Sequence, residues 1–145
     1  MDIREPTKLE LNEIITLSPQ AILDGTLGEI KPTNEKVKQL IEPLLEKGSS
    51  YIIATENNTL MGWILIGTSK DQFTDKKYGF IYELYVLEEF RGNGISAKLM
   101  NNGIDQLQKE GHSEVRLSAF AGNHAIKLYE KLGFSIRTVS MSLQV

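Results

Sequence analysis

Apolar residues recur along the chain with two different spacings, and each change of spacing marks the edge of an expected element. Leu9, Leu11, Ile14, Ile15 and Leu17 have the spacing of an amphipathic helix, expected to break at Ser18-Pro19. A short strand precedes it. Lys31-Pro32-Thr33 opens a second helix with Val37, Leu40, Ile41, Leu44 and Leu45 on one face. Gly48 stops that helix, and Pro43 inside it predicts a kink or a division into two short helices. Residues 51–55 and 60–66 then read as strands joined by Glu56-Asn57-Asn58-Thr59, a hairpin signal. After a polar loop over 69–76, residues 79–87 form a third strand rich in aromatic and branched side chains.

The spacing returns to helical over 94–109, with Ile95, Leu99, Ile104 and Leu107 as the expected buried stripe. Residues 114–119 alternate as a strand, and 125–132 form a short helix ended by Gly133. A last strand is expected over 134–145, where Ile136, Thr138 or Val139, Met141 and Leu143 alternate. Helices, hairpin, strand, helix, strand, helix, strand in that order predict a mixed α/β sheet covered by helices. The 145 residues make one domain, 1–145, with no repeat and no linker.

Composition narrows the function. Hydrophobic residues make up 41% and charged residues 24%, the balance of a globular chain, and the net charge of -3 is spread along it. A nucleic-acid partner would need a basic stripe, which is absent. There is no cysteine, so disulfides, thiolate metal sites and a cysteine nucleophile are excluded. The first residues lack the blocks of a signal peptide, and no apolar run reaches the roughly 18 residues that span a bilayer. The expectation is a soluble cytoplasmic protein with no membrane partner.

The chemically informative stretch is Tyr82-Glu83-Leu84-Tyr85-Val86-Leu87-Glu88-Glu89-Phe90-Arg91-Gly92-Asn93-Gly94-Ile95-Ser96, where a strand ends, a short loop carries two glycines, and a helix begins. The first turn of a helix carries unpaired N–H groups and partial positive charge, and Gly92 and Gly94 let the backbone approach a phosphate closely. The same residues also fit the dinucleotide pattern G-x-G-x-x-A, with Glu114 where a ribose-binding acid would stand. Against that reading, four residues separate the glycines from the strand, and too little chain follows for a full dinucleotide-binding sheet. No Walker loop is present. A turn whose glycines serve geometry alone is the remaining alternative.

Residues 86–96 resemble the acyl-CoA-binding motif R/Q-x-x-G-x-G/A of the GNAT superfamily of N-acetyltransferases, with Arg91, Gly94 and Ser96 at its defined positions. Ser96 stands where Gly or Ala is usual. About thirty residues on, Asn123-His124-Ala125-Ile126-Lys127-Leu128-Tyr129-Glu130-Lys131-Leu132-Gly133-Phe134 resembles the family's N-x-x-A-x-x-L-Y-x-x-x-G-F, with Asn123 one position closer to Ala125. The resemblance covers residues 50–145. It implies a central sheet of six to seven strands flanked by about four helices, with the strands over 79–87 and 114–119 parallel and splayed to admit pantetheine.

It further implies that acetyl-CoA is the cosubstrate and a primary amine of a small molecule or protein is the acceptor. Direct attack would transfer the acetyl group, without a metal. Arg91, Gly92, Asn93, Gly94 and Ser96 would hold the pyrophosphate and Asn123 the pantetheine. The N–H of Leu84 would face the thioester carbonyl, and Val86 would pair with pantetheine like an added strand. Tyr129 would protonate the departing thiolate. Glu83 lies in an apolar strand with its side chain expected opposite Tyr82 and Leu84, and is the candidate base for the ammonium. If it is buried, its pKa should rise. A carboxylate at a sheet edge is the structural alternative for Glu83, and core packing for Tyr129. His112, His124, Asp71 and Asp75 read as turn or loop residues. A CoA-binding sensor without turnover is the alternative function. Homodimers are common in the family, and the last strand offers an edge for pairing.

Overall fold

The computed structural model describes residues Met1–Val145. Its elements are β1 (Asp2–Arg4), α1 (Lys8–Gly25), α2 (Asn34–Glu46), β2 (Ser50–Glu56), β3 (Thr59–Lys70) and β4 (Lys77–Val86), then a 3-10 turn (Glu88–Phe90), α3 (Ile95–Lys109), β5 (Val115–Leu117) and α4 (Ala125–Lys131). The five strands lie in sequence order in one sheet, antiparallel except for the parallel pair β4 and β5. Five strands replace the expected six to seven, because residues 134–145 form no strand. The alternation in that segment is real, but no neighbouring strand takes it up.

The break expected at Pro19 is corrected, and of the two outcomes expected at Pro43 the division into two helices does not occur. α1 continues through Ser18-Pro19 to Gly25, with Pro19 buried. A proline removes the N–H that would bond the carbonyl four residues earlier, here that of Ile15. The amide of Asn34, at the start of α2, donates to that carbonyl at 2.8 Å, while the Ser18 hydroxyl satisfies Ile14 at 2.7 Å. α2 likewise runs unbroken through the exposed Pro43, where water can serve the freed carbonyl. The start of α1 is fixed by a capping box between Thr7 and Glu10, and Arg4 of β1 grips the Glu10 carboxylate with two hydrogen bonds. That clamp holds the Glu10 pKa down at about 2.

The hairpin turn behaves as expected. Asn57 and Asn58 both adopt positive φ, the geometry of a two-residue turn matched to the twist of β2 and β3. One face of the sheet packs on α1 and α2 through Ile14, Val37, Ile53, Trp63 and Leu65. The other packs on α3 through Ile64, Ile66, Ile81, Leu99 and Leu107. α3 sits close: a Cβ on Gly103 would lie 2.9 Å from Ile64, and one on Gly79 of β4 would lie 3.0 Å from Leu107.

Candidate functional site

β4 is paired unequally on its two sides. Against β3 it is in register from Lys77 to Val86, whereas against β5 the register ends at Ile81 and Leu117. Tyr82 to Val86 therefore face a gap. The parting begins at a β-bulge, where Leu65 pairs with Glu83 and Ile66 with Ile81, leaving Tyr82 as the extra residue. The bulge corrects the expected side-chain alternation. Tyr82 packs with the α1/α2-facing cluster that includes Trp63 and Tyr51, while Leu84 packs on the opposite one. The bulge also re-aims the backbone. The Leu87 N–H donates to Met61 of β3 at 2.9 Å, so alternation turns the peptide groups of Leu84 and Val86 away from β3 and into the gap.

At the upper end of β4, the glycine loop leads into α3. Gly92 and Gly94 have φ of 84° and 74°, and Gly94 is the helix cap, with no side chain folded over the helix end. The N–H groups from Gly92 to Ala97 make no hydrogen bond within the chain. A small cavity beside them is lined by Val86, Phe90, Gly92, Gly94, Ser96 and Leu128. A row of free donors at a helix N-terminus fits a pyrophosphate. The Asn93 amide instead donates to the Phe90 carbonyl at 3.0 Å. Arg91 also points elsewhere: its Nε donates to the Val86 carbonyl at 2.9 Å, and its guanidinium lies 3.3 Å from Asp24 and 5.4 Å from the Tyr85 ring centre.

Glu83 is half-buried on the face of β4 that it shares with Trp63 and Leu65, in the stretch that β5 leaves unpaired. Burial pushes its pKa up to about 7, partly offset by a hydrogen bond from the Trp63 indole N–H. Tyr51 stands two strands away in the same cross-strand row, through Leu65. Its buried hydroxyl has no hydrogen-bond partner, and burial and the nearby Glu83 both raise its pKa. The sequence alone did not single out Trp63 or Tyr51. The strand register is the signal that connects them to Glu83, and it depends on the bulge.

Tyr129 lies on α4, half-buried against the α3-facing core and edge-on to Phe134 at 6.1 Å. Burial raises its pKa, so the phenol holds its proton at neutral pH. Asn123 precedes α4 with both ends of its amide engaged. Its oxygen accepts from the Ala125 N–H at 2.9 Å, and its nitrogen donates to the Gly25 carbonyl at 3.2 Å. The end of α1 thus touches both sides of the gap, Arg91 through Asp24 and Asn123 through Gly25, a role not visible in the sequence. Asp71 caps its own turn and sits 3.7 Å from Arg116, Asp75 pairs with Lys70, and His112 meets Thr68. His124 caps α4 without a side-chain bond. No helix is long and apolar enough to cross a membrane.

Comparison with known proteins agrees with this geometry. Residues 19–134 match the Acetyltransferase (GNAT) family. The N-acetyltransferase YdgE of Bacillus subtilis (strain 168), itself uncharacterized, is 31% identical over 134 residues, covering 87% of this chain and 83% of YdgE. An N-alpha-acetyltransferase of Saccharolobus solfataricus is 28% identical over 111 residues, covering 71% and 66% of the two chains. A solved structure from Pyrococcus furiosus superposes with a TM-score of 0.81 at 23% identity, covering 99% of each chain, which shows a shared fold. The chain belongs to the GNAT acetyltransferase family, and it is an N-acetyltransferase.

Proposed function

We propose that this enzyme transfers the acetyl group of acetyl-CoA directly to a primary amine. The observation that carries the reading is the gap beside β4, which joins a row of free N–H donors at α3 to a strand that carries a carboxyl of raised pKa. The N–H groups around Gly92, Asn93, Gly94 and Ser96 would bind the pyrophosphate, with Arg91 turning from Asp24 to join them. Pantetheine would lie along Leu84 and Val86, and the Leu84 N–H would polarise the thioester carbonyl.

Glu83, with a pKa of about 7, is suited to take the proton of an ammonium whose own pKa is near 10. The free amine then attacks the thioester carbon, a C–N bond forms, and the C–S bond breaks. Tyr129 gives its proton to the departing sulfur, and the proton that the attacking nitrogen sheds as the amide forms returns to the phenolate, so the products are an amide and the free thiol. Asn123, with both amide atoms engaged, would set the position of α4 and border the pantetheine channel. The acceptor is an amine of a small molecule or of a protein, and the Saccharolobus relative's name makes an α-amino group the first to try. The whole chain, 1–145, would act as one catalytic domain in the cytoplasm.

Calorimetric titration with acetyl-CoA, with CoA and NADH in parallel, tests this reading. Saturable acetyl-CoA binding without NADH binding is the expected result. Binding of NADH alone would return the glycine loop to a dinucleotide role, and acetyl-CoA binding with no turnover across an amine panel would leave a sensor.

A further inference from the structure

Three aromatic rings lie in a row along one face of β4. Tyr78 and Phe80 share the parity of Tyr82, and the ring centres are 6.3 Å apart from Tyr78 to Phe80 and 4.8 Å apart from Phe80 to Tyr82. Tyr82 packs with the α1/α2-facing cluster, but Tyr78 and Phe80 pack into neither core and are half-buried. Their partners on β3 are small: Phe80 pairs with Gly67, and Tyr78 with Ser69. A Cβ on Gly67 would strike Ser49 and lie 3.1 Å from the Tyr82 ring. The rings therefore form a shelf that the neighbouring strand leaves uncovered.

The shelf runs into the gap. The bulge turns Tyr82 and Glu83 to the same face, and the β3 partners of Phe80 and Glu83, Gly67 and Leu65, stand two residues apart. Phe80 and Glu83 are thus separated by roughly 7 Å along the strand, the reach of an amine on a short carbon link to a ring. The far end of the shelf carries positive charge. There the Arg116 guanidinium lies 4.0 Å from the Tyr78 ring centre. The carboxylates at that end are engaged, Asp71 with Arg116 and Arg137, and Glu114 with Arg116 and Lys76. Asp24, beside Tyr85, is held by Arg91. Glu83 pairs with no cation, and its contact is the Trp63 indole.

We propose that this shelf selects the acetyl acceptor: a primary amine with one positive charge on an aromatic or broad apolar body, which lies over Phe80 and Tyr82 with its nitrogen toward Glu83. The inference rests on the acetyl-transfer reading of the gap and names the class of amine that the gap takes. Ring faces favour a flat apolar body and also the ammonium beside it, because apolar burial and the attraction of a π face for a cation act together. A second ammonium, as in a polyamine, would meet Arg116 and find no free carboxylate, so like-charge repulsion discriminates against it. A short alkylamine would reach Glu83 but leave the rings uncovered, and would bind weakly.

Steady-state kinetics at saturating acetyl-CoA, following thiol release, compare 2-phenylethylamine, propylamine and spermidine. The parent enzyme is expected to favour 2-phenylethylamine over either by at least about tenfold in kcat/KM. In Phe80→Ala the preference over propylamine should fall about tenfold, through KM. Phe80→Leu keeps apolar volume and serves if circular dichroism shows the alanine variant unfolded; its preference should fall about threefold. Equal kcat/KM for the three amines, a preference for spermidine, or an unchanged preference in a folded Phe80 variant would overturn the shelf and leave acetyl transfer standing. Saturation-transfer NMR of 2-phenylethylamine with CoA present reads binding apart from turnover. Binding that is lost in the Phe80 variant, with no turnover of any amine, would keep the shelf and remove the acetyl-transfer reading. Neither binding nor turnover would overturn both. A short peptide beginning with phenylalanine, run beside the free amine, identifies by its kcat/KM whether such an amine comes from a chain terminus or a small molecule.

Discussion

The two sides of β4 differ as much as any two regions of this molecule. Toward β3 the strand is paired along its length, and the packing behind it is so tight that a Cβ on Gly62 would meet the Tyr85 carbonyl oxygen at 2.6 Å. Toward β5 it is paired for three residues and then alone. A strand that is free on one side can stay in place only if the other side holds it firmly. The zipped side supplies that rigidity, and the bulge at Tyr82 marks where the open side begins. Exposed peptide groups, the raised carboxyl and the glycine loop all lie on or beside this one strand.

Substitutions can break or sharpen the contrast. The largest effect is expected from Glu83→Gln, which should lower turnover at pH 8 by about 10²–10³-fold. It should also abolish the rise of the wild-type pH–rate profile through about pH 7. The same variant has a stability signature. Glu83 is raised from the ordinary 4.5 to about 7 in the fold, so its contribution to stability is fully present below pH 4.5 and is lost as pH rises through 7. Glutamine cannot ionise. Urea titrations should therefore show the variant gaining on the parent between those values, by on the order of 1–3 kcal/mol at pH 8. A constant difference across that range would mean the carboxyl is not the group perturbed.

Next in size, Tyr129→Phe should cut turnover about 10²-fold while acetyl-CoA affinity, read by calorimetry, stays within about twofold. Unchanged turnover would remove the phenol from the proton path. On the zipped side, Gly62→Ala should destabilise the fold by about 1–3 kcal/mol in urea titration, since the intruding methyl meets backbone and not a flexible side-chain tip. Activity of the fraction still folded should fall too if that pairing sets the width of the gap. The smallest effect is expected from Asp24→Asn. Releasing Arg91 from a half-exposed ion pair should tighten acetyl-CoA binding by only a fewfold, about 1 kcal/mol or less.

Much of this could be read from the chain. The helix stripes, the Asn57-Asn58 turn and the glycine loop are local patterns, and local patterns report local structure. The expectations that failed each depended on a distant partner. Pro19 breaks a helix unless something serves the Ile15 carbonyl, and that donor, Asn34, is nineteen residues away. Tyr82 and Glu83 share a face only because a bulge against β3 shifts the register, which strict alternation along β4 cannot reveal. The stretch from Thr138 alternates as a strand should, but a strand needs a neighbour, and none within the chain pairs with it. Glu83 was legible as an acid in an apolar strand. Its contact with Trp63 was not, because it joins residues of different strands.

That contact has a practical consequence. Trp63 is the only tryptophan in the chain, and its indole N–H donates to the Glu83 carboxyl. An indole's emission responds to charge on the group it is bonded to, so the protein carries its own optical probe at this carboxyl. A fluorescence titration of the unmodified enzyme should trace the protonation of Glu83 as a single step centred near pH 7, with no label, substrate or substitution required.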